Sequence, residues 1–207
     1  MGRSAKLSGT HASRMAGFSM VELAVSLCVV LLMSAIAIPT LLQSFRSYQL
    51  NDSAARLSDI LKFTRFEAVR RNTQITLQFQ PFGNDWNVWA DTIVNAAHDP
   101  TEKQFLITGW ITLLRAAGLP APAAITAALG GAPVTLSGDP GSFAFDARGA
   151  VRTAINGGIA PVYIFYLGGP TNDPNNRGFG YRAVVLLPSG STQVWSAPAA
   201  GPWHRVS

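Results

Sequence analysis

The stretch Gly17-Phe18-Ser19-Met20-Val21-Glu22 joins a basic, polar leader to an apolar run from Leu23 to Leu42, and it places one carboxylate five residues beyond the glycine. A lone acid near the start of a lipid-spanning helix costs about 2.5–3.5 kcal/mol on insertion scales, so Glu22 needs a partner or a task. Two processing sites compete. Arg3, Lys6 and Arg14 form a positive region, Leu23 to Met33 suits the apolar core of a signal peptide, and Ala35-Ile36-Ala37 has the small-x-small pattern of ordinary secretory cleavage. A cut there would release a soluble β-domain beginning at Ile38. Against it, Glu22 sits inside the apolar block, and the apolar run continues past Ala37 through Ile38, Leu41 and Leu42.

The same junction resembles a type IV prepilin signal. The resemblance implies cleavage by prepilin peptidase after Gly17, leaving Phe18 as an N-methylated N-terminus. It also implies an assembly role for Glu22, whose carboxylate would meet the N-terminal amine of a neighbouring subunit. Opposite charges share a low-dielectric layer only as a pair. Pilin-like proteins are similar in carrying a proline where Pro39 stands, a residue that removes a backbone bond and breaks, bends or locally melts a helix. Pro39 equally marks a membrane exit, and the two readings are compatible.

The 207 residues leave room for one ordinary domain after the helix. The formal charge of +5 suggests a nucleic-acid or anionic-surface binder until it is divided at the expected cut. Lys and Arg number 16 and Asp and Glu 11; removing Arg3, Lys6 and Arg14 leaves 13 − 11 = +2. Most of the basicity is therefore topogenic: it holds the N-terminus in the cytoplasm and places everything after Leu42 in the periplasm, with the inner membrane crossed once. The single cysteine, Cys28, falls in the apolar run, so no internal disulfide exists and the exported domain depends on its own core.

From Phe18 to Leu42 the chain is long and apolar enough to cross a bilayer of roughly 30 Å. Beyond it the helical pattern turns amphipathic. Leu50, Ala54, Leu57, Leu61 and Ala68 share a stripe, with Arg46, Asp52, Arg56, Asp59, Lys62, Arg65, Glu67 and Arg70 mostly elsewhere. At Asn72 the period changes to two. Ile75, Leu77 and Phe79 alternate with polar residues, a turn follows at Pro81–Asp85, and Trp86–Ala90 reads as the hairpin partner. Further strands are expected at Gln104–Leu114, Val134–Ser137, Ser142–Asp146, Val162–Leu167, Tyr181–Leu187 and Thr192–Ser196. The Ala/Pro/Gly-rich segment Ala116–Pro133 suits a short helix over Ala123–Leu129 or a mobile insertion, and Gly168–Gly180 reads as an exposed loop.

Three patches downstream extend the likeness. They are Phe63-Thr-Arg-Phe-Glu-Ala-Val-Arg-Arg-Asn72 before the first strand, Trp86-Asn-Val-Trp89, and Phe143-Ala-Phe-Asp-Ala-Arg-Gly149. With the leader they resemble the GspH/FimT family of minor pilins and pseudopilins, closely from Gly17 to about Arg152 and loosely after it. The resemblance implies an α+β, pilin-like fold: a long N-terminal helix, transmembrane then amphipathic, packed on an antiparallel β-sheet head. The expected organisation is a leader over 1–17, a membrane helix over 18–42, its amphipathic continuation over 43–72 and a periplasmic head over 73–207. Its partners would be other pilins or pseudopilins through the N-terminal helix, prepilin peptidase and the inner membrane.

Some members of that family bind DNA through a Gly-Arg-x-Arg run near the C-terminus. Here the corresponding segment is Pro188-Ser-Gly-Ser-Thr-Gln-Val-Trp195, with Ser191 and Gln193 in the arginine places, which counts against a DNA-uptake role. Phosphate binding needs several cations within reach of one backbone, and Arg148, Arg152, Arg177, Arg182 and Arg205 are scattered. No enzyme chemistry stands out. His11, His98 and His204 lack ligand partners at i+3 or i+4, and no HExxH, CxxC, GxSxG or phosphate loop occurs. His98 and His204 are read as solvated. Asp85, Asp91, Asp99 and Glu102 read as turn residues, and calcium near Asp173 in the 168–180 loop stays open. No cofactor is expected. Trp86 and Trp89 point to opposite faces of a strand, so at least one should be exposed.

Overall fold

The computed structural model describes residues 19–83, 85–131, 134–137, 141–153, 157–158, 160–169 and 179–206. The chain divides into two compact units, residues 1–42 and 43–207. Helix α1, Met20–Arg71, contributes to both. In the second unit its stripe is fully buried: Leu50, Ala54, Leu57, Leu61 and Ala68 have no exposed surface. Each such leucine is worth roughly 1.5–3 kcal/mol. The exposed pairs Asp52–Arg56 and Asp59–Lys62 are worth at most about 1 kcal/mol each. Apolar burial therefore decides which face of the helix packs. Asn72 adopts φ 51° and ends α1, with its N–H donating to the Val69 carbonyl and that of Thr73 to the Ala68 carbonyl. These two bonds form a Schellman cap.

The first sheet contains β1 (Ile75–Phe82), β2 (Asp85–Asp91), β3 (Gln104–Ile107), β6 (Ser142–Phe145) and β7 (Val151–Arg152), in the order β3-β2-β1-β6-β7. The second has the order β11-β10-β9-β8-β4, from β4 (Thr112–Leu114), β8 (Val162–Gly168), β9 (Tyr181–Leu186), β10 (Thr192–Ala197) and β11 (His204–Arg205). Strand β5 (Val134–Ser137) pairs with β8 in parallel. Among the described residues the head is built of antiparallel sheets as expected, two of them, with one parallel pair where β5 joins β8.

One core joins the α1 stripe to both sheets through Leu77, Phe79 and Phe143 on one side and Phe165, Leu167 and Val184 on the other. Phe79 stacks on Phe165 with centroids 5.2 Å apart. The second sheet is buried on its other face too, where Ile164, Tyr166, Val185, Trp195 and Trp203 form a separate cluster around Ile125 of α2 (Ala123–Ala128). This explains the continuous apolar runs of β8 and β9.

The expected single strand Gln104–Leu114 is two strands in different sheets. Gly109, at φ +84°, turns the chain between them, a conformation that suits glycine. The short strands β7 and β11 had no sequence signal, because two residues are too few to show a period.

Candidate assembly interface

Gly17 and Phe18, the expected cleavage positions, lie outside the described residues, as does the leader. The Ser19 carbonyl accepts the Leu23 N–H at 3.1 Å, and Glu22 lies in the first helical turn. The hydroxyls of Ser26 and Ser34 donate at 2.7 Å to the carbonyls of Glu22 and Val30, four residues back. Such back-bonds let hydroxyls sit in an apolar medium. α1 is long and apolar enough to cross a membrane, and its most apolar 18-residue window has mean hydropathy 2.5 with none of it buried.

Glu22 is exposed and makes no side-chain hydrogen bond or ion pair among the described residues. The helix dipole favours an acid in this turn by about 0.3–1 kcal/mol. That is less than the ~2.5–3.5 kcal/mol cost of the charge in lipid, so the dipole alone does not offset it. Beside Glu22 in the chain, Met20, Val21, Leu23 and Val25 are exposed apolar residues.

Pro39 does not break the helix: helical backbone runs on through it to Arg71. The Thr40 hydroxyl donates to the carbonyls of Ile36 and Ala37 at 3.2 and 2.9 Å, which supplies polar contact in the turn where the proline has no N–H.

In the head, two acids organise the loop after β2. Glu102 accepts the N–H groups of Thr92, Ile93 and Asp99, and Asp91 accepts those of Asn95 and Ala96. Both are almost fully buried, at 5% and 1% exposure. The turn role read from the sequence is thus filled by oxygen-to-backbone bonds, and among the described residues no group of three or more acids, histidines or cysteines converges as a metal site. The central residues of the 168–180 loop, including Asp173, lie outside the described residues.

This loop also corrects two expectations. Trp89 is only 4% exposed, and His98 stands against it edge-on with centroids 5.9 Å apart. Trp86, on the opposite face, packs half-buried on the main core. Neither tryptophan is exposed, and His98 is half-buried because the loop covers the sheet; His204 is exposed.

Of the five arginines read as scattered, Arg177 lies outside the described residues. Arg152 is held by Asp146 at 2.8 Å, and Arg182 is 9% exposed and bonded into α1, which leaves Arg148 and Arg205 exposed. Arg182 entered the sequence reading only as one scattered cation. Its signal was position: it is the one charge in the apolar strand Tyr181–Leu186.

Asp146 closes the β6–β7 hairpin. Burial works to raise its carboxyl, but the Arg152 guanidinium and the N–H groups of Ala150 and Arg148 together outweigh burial and hold it below its ordinary value of 3.8. A depressed folded value means stability that is present above the unfolded value and lost as pH falls through the folded one. Asp146→Asn is therefore expected to lower the melting temperature of residues 43–207 at neutral pH, with the difference from wild type shrinking below about pH 4. Melting curves across that range check it, and a constant difference would refute it.

Residues 53–190, more than half of the 207, match the family model described as Type II transport protein GspH. Among solved structures, the type IV minor pilin FimU of Pseudomonas aeruginosa is similar at 14% identity, covering 73% of this chain and 90% of that one, with a TM-score of 0.44. The minor pseudopilin EpsH of the Type 2 Secretion System of Vibrio cholerae is similar at 12% identity, covering 71% and 96%, with a TM-score of 0.42. No curated protein matches the chain in sequence.

Proposed function

The chain belongs to the GspH family of type II transport proteins, a family of structural pilin and pseudopilin subunits rather than enzymes, and from that premise we propose that it is a minor pilin or minor pseudopilin processed by prepilin peptidase. In this reading residues 1–17 are removed and residues 18–42 cross the inner membrane once. The N-terminus starts in the cytoplasm, and residues 73–207 form a periplasmic head behind the amphipathic segment 43–72. Assembly runs through the apolar half of α1, where other pilins or pseudopilins supply the contacts.

The observation that carries the proposal is Glu22, a carboxylate without a partner among exposed apolar residues. The amine created at Phe18 on a neighbouring subunit would neutralise it. Ser191 and Gln193, standing where the DNA-binding members carry arginines, do not favour the DNA-binding alternative.

Processing is the direct test. The mature chain is expected to begin at Phe18, and a bulky residue at position 17, such as Gly17→Leu, is expected to block the cut. Intact-mass measurement reads both. A mature chain beginning at Ile38 would replace this proposal with a secreted soluble domain.

A further inference from the structure

Arg182 is a cation in the wrong surroundings. It lies on an apolar strand at 9% exposure, and no carboxylate reaches it among the described residues. Its guanidinium donates only to neutral acceptors: the Asn51 Oδ1 at 2.7 Å, the Ser47 Oγ at 3.3 Å and the Tyr181 carbonyl at 3.0 Å. Burial alone pushes its pKa down, with no opposing anion. A buried charge ordinarily has a partner, because desolvation costs several kcal/mol that neutral dipoles offset only in part.

Two of those neutral acceptors, Ser47 and Asn51, also line an open hollow of about 540 Å³ with Gln43, Ser44, Tyr48 and Phe179. Its walls are mainly polar hydroxyls and amides. A second cation stands beside it, since the Arg46 guanidinium lies 4.8 Å over the Phe179 ring. The hollow thus has two arginines at its margin, hydrogen-bond donors on its walls and no acid among the residues that line it. Planar guanidinium groups bind tetrahedral oxyanions through paired N–H bonds, so this is the chemistry of a phosphate site.

The place of the hollow in the chain selects the source of the phosphate. Its first residue, Gln43, follows the last residue of the apolar run, and Ser47 lies one turn further along α1. Phe45 and Tyr48, in the same turns, are 58% and 69% exposed, as aromatic residues at a membrane–water boundary are. We propose that Arg182, with Ser47, Asn51 and Arg46, holds the phosphate of an anionic phospholipid headgroup where α1 leaves the membrane. The inference rests on the membrane-anchored reading above. The bound lipid holds this end of the head at the bilayer surface while the subunit waits for assembly, and extraction into a filament leaves the lipid behind.

The test uses the full chain in dodecyl maltoside, with melting temperature as the readout. Dioleoylphosphatidylglycerol is expected to raise it by about 5 °C or more at a hundredfold excess over Kd, with dioleoylphosphatidylcholine and inorganic phosphate giving much less. Arg182→Met is expected to melt no lower than wild type without lipid, because an unpaired buried charge has gone, and to lose the lipid response. Ser47→Asp places a carboxylate at the guanidinium. It is expected to melt higher than wild type without lipid and to lose the response as well, which keeps the proposal testable should Arg182→Met fail to fold. An equal rise with inorganic phosphate would overturn the lipid assignment. A response equal in wild type and both variants would overturn the site. A wild type indifferent to lipid, beside a stabilised Ser47→Asp, would assign the guanidinium to a carboxylate from another protein chain and overturn the proposal. Cell fractionation separates this failure from that of the anchoring premise, since only the latter puts the chain in the soluble fraction.

Discussion

Glu22→Val is expected to insert into the membrane and to be cut after Gly17 as the wild type is, yet to be nearly absent from filaments. A neutral residue enters lipid more easily than a carboxylate, so insertion should not suffer. Assembly should. If the carboxylate meets the amine created at Phe18 of a neighbour, its removal leaves that amine unpaired in an apolar layer, at a cost of about 3–5 kcal/mol. That is a factor beyond about a hundred in the assembly equilibrium. The ratio of sheared-filament to membrane-pool protein measures the effect, with cleavage checked by mass, and Glu22→Gln should fall in the same direction. Normal incorporation of Glu22→Val would deprive the carboxylate of this role. Uncleaved protein would assign it to peptidase recognition instead.

Leu57→Asp is expected to have the largest effect on the head. Leu57 has no exposed surface and sits in the core that joins α1 to both sheets. Truncation to alanine would cost about 2–5 kcal/mol, and a carboxylate adds the cost of burying a charge without a partner. A loss above about 5 kcal/mol follows, or more than about 10 °C in melting temperature for a domain of this size. Residues 43–207, compact by themselves, are the material for the comparison. Circular dichroism during melting gives the answer, with Leu57→Ala as the milder step. An unchanged melting temperature would contradict the observed burial of the stripe.

What could be read from the sequence was what repeats with a period. The stripe from Leu50 to Ala68 and the alternation of Ile75, Leu77 and Phe79 signal their elements locally, and both stand in the structure as read. What depends on distant partners could not be read in that way. Nothing within Val134–Ser137 says that it pairs in parallel with β8, and nothing near Trp89 says that residues after Asp91 fold back to cover it. The break at Gly109 was visible as a glycine, but only its left-handed φ shows that the chain changes sheet there. Of the candidate site, Glu22 stood out because a charge in an apolar run is conspicuous. Arg182 did not, because a lone arginine in a strand looks like a surface residue until its burial is known.

The pairing of β1 with β6 sets an order of events. Ile75–Gln78 finds its partner only at Ser142–Phe145, so the central pair of the first sheet cannot close until the chain has been made well past its midpoint. Until then the apolar stripe of α1 has little to lie against, and it follows directly after the apolar run. Contacts of such long sequence separation are slow to form, because loop closure comes before the contact that rewards it. In the proposed reading, a newly exported chain therefore spends its first moments as an anchored, sticky helix with an unfinished head. An anchor proposed to serve assembly would then first keep that unfinished chain dilute, spread over a surface instead of concentrated in solution.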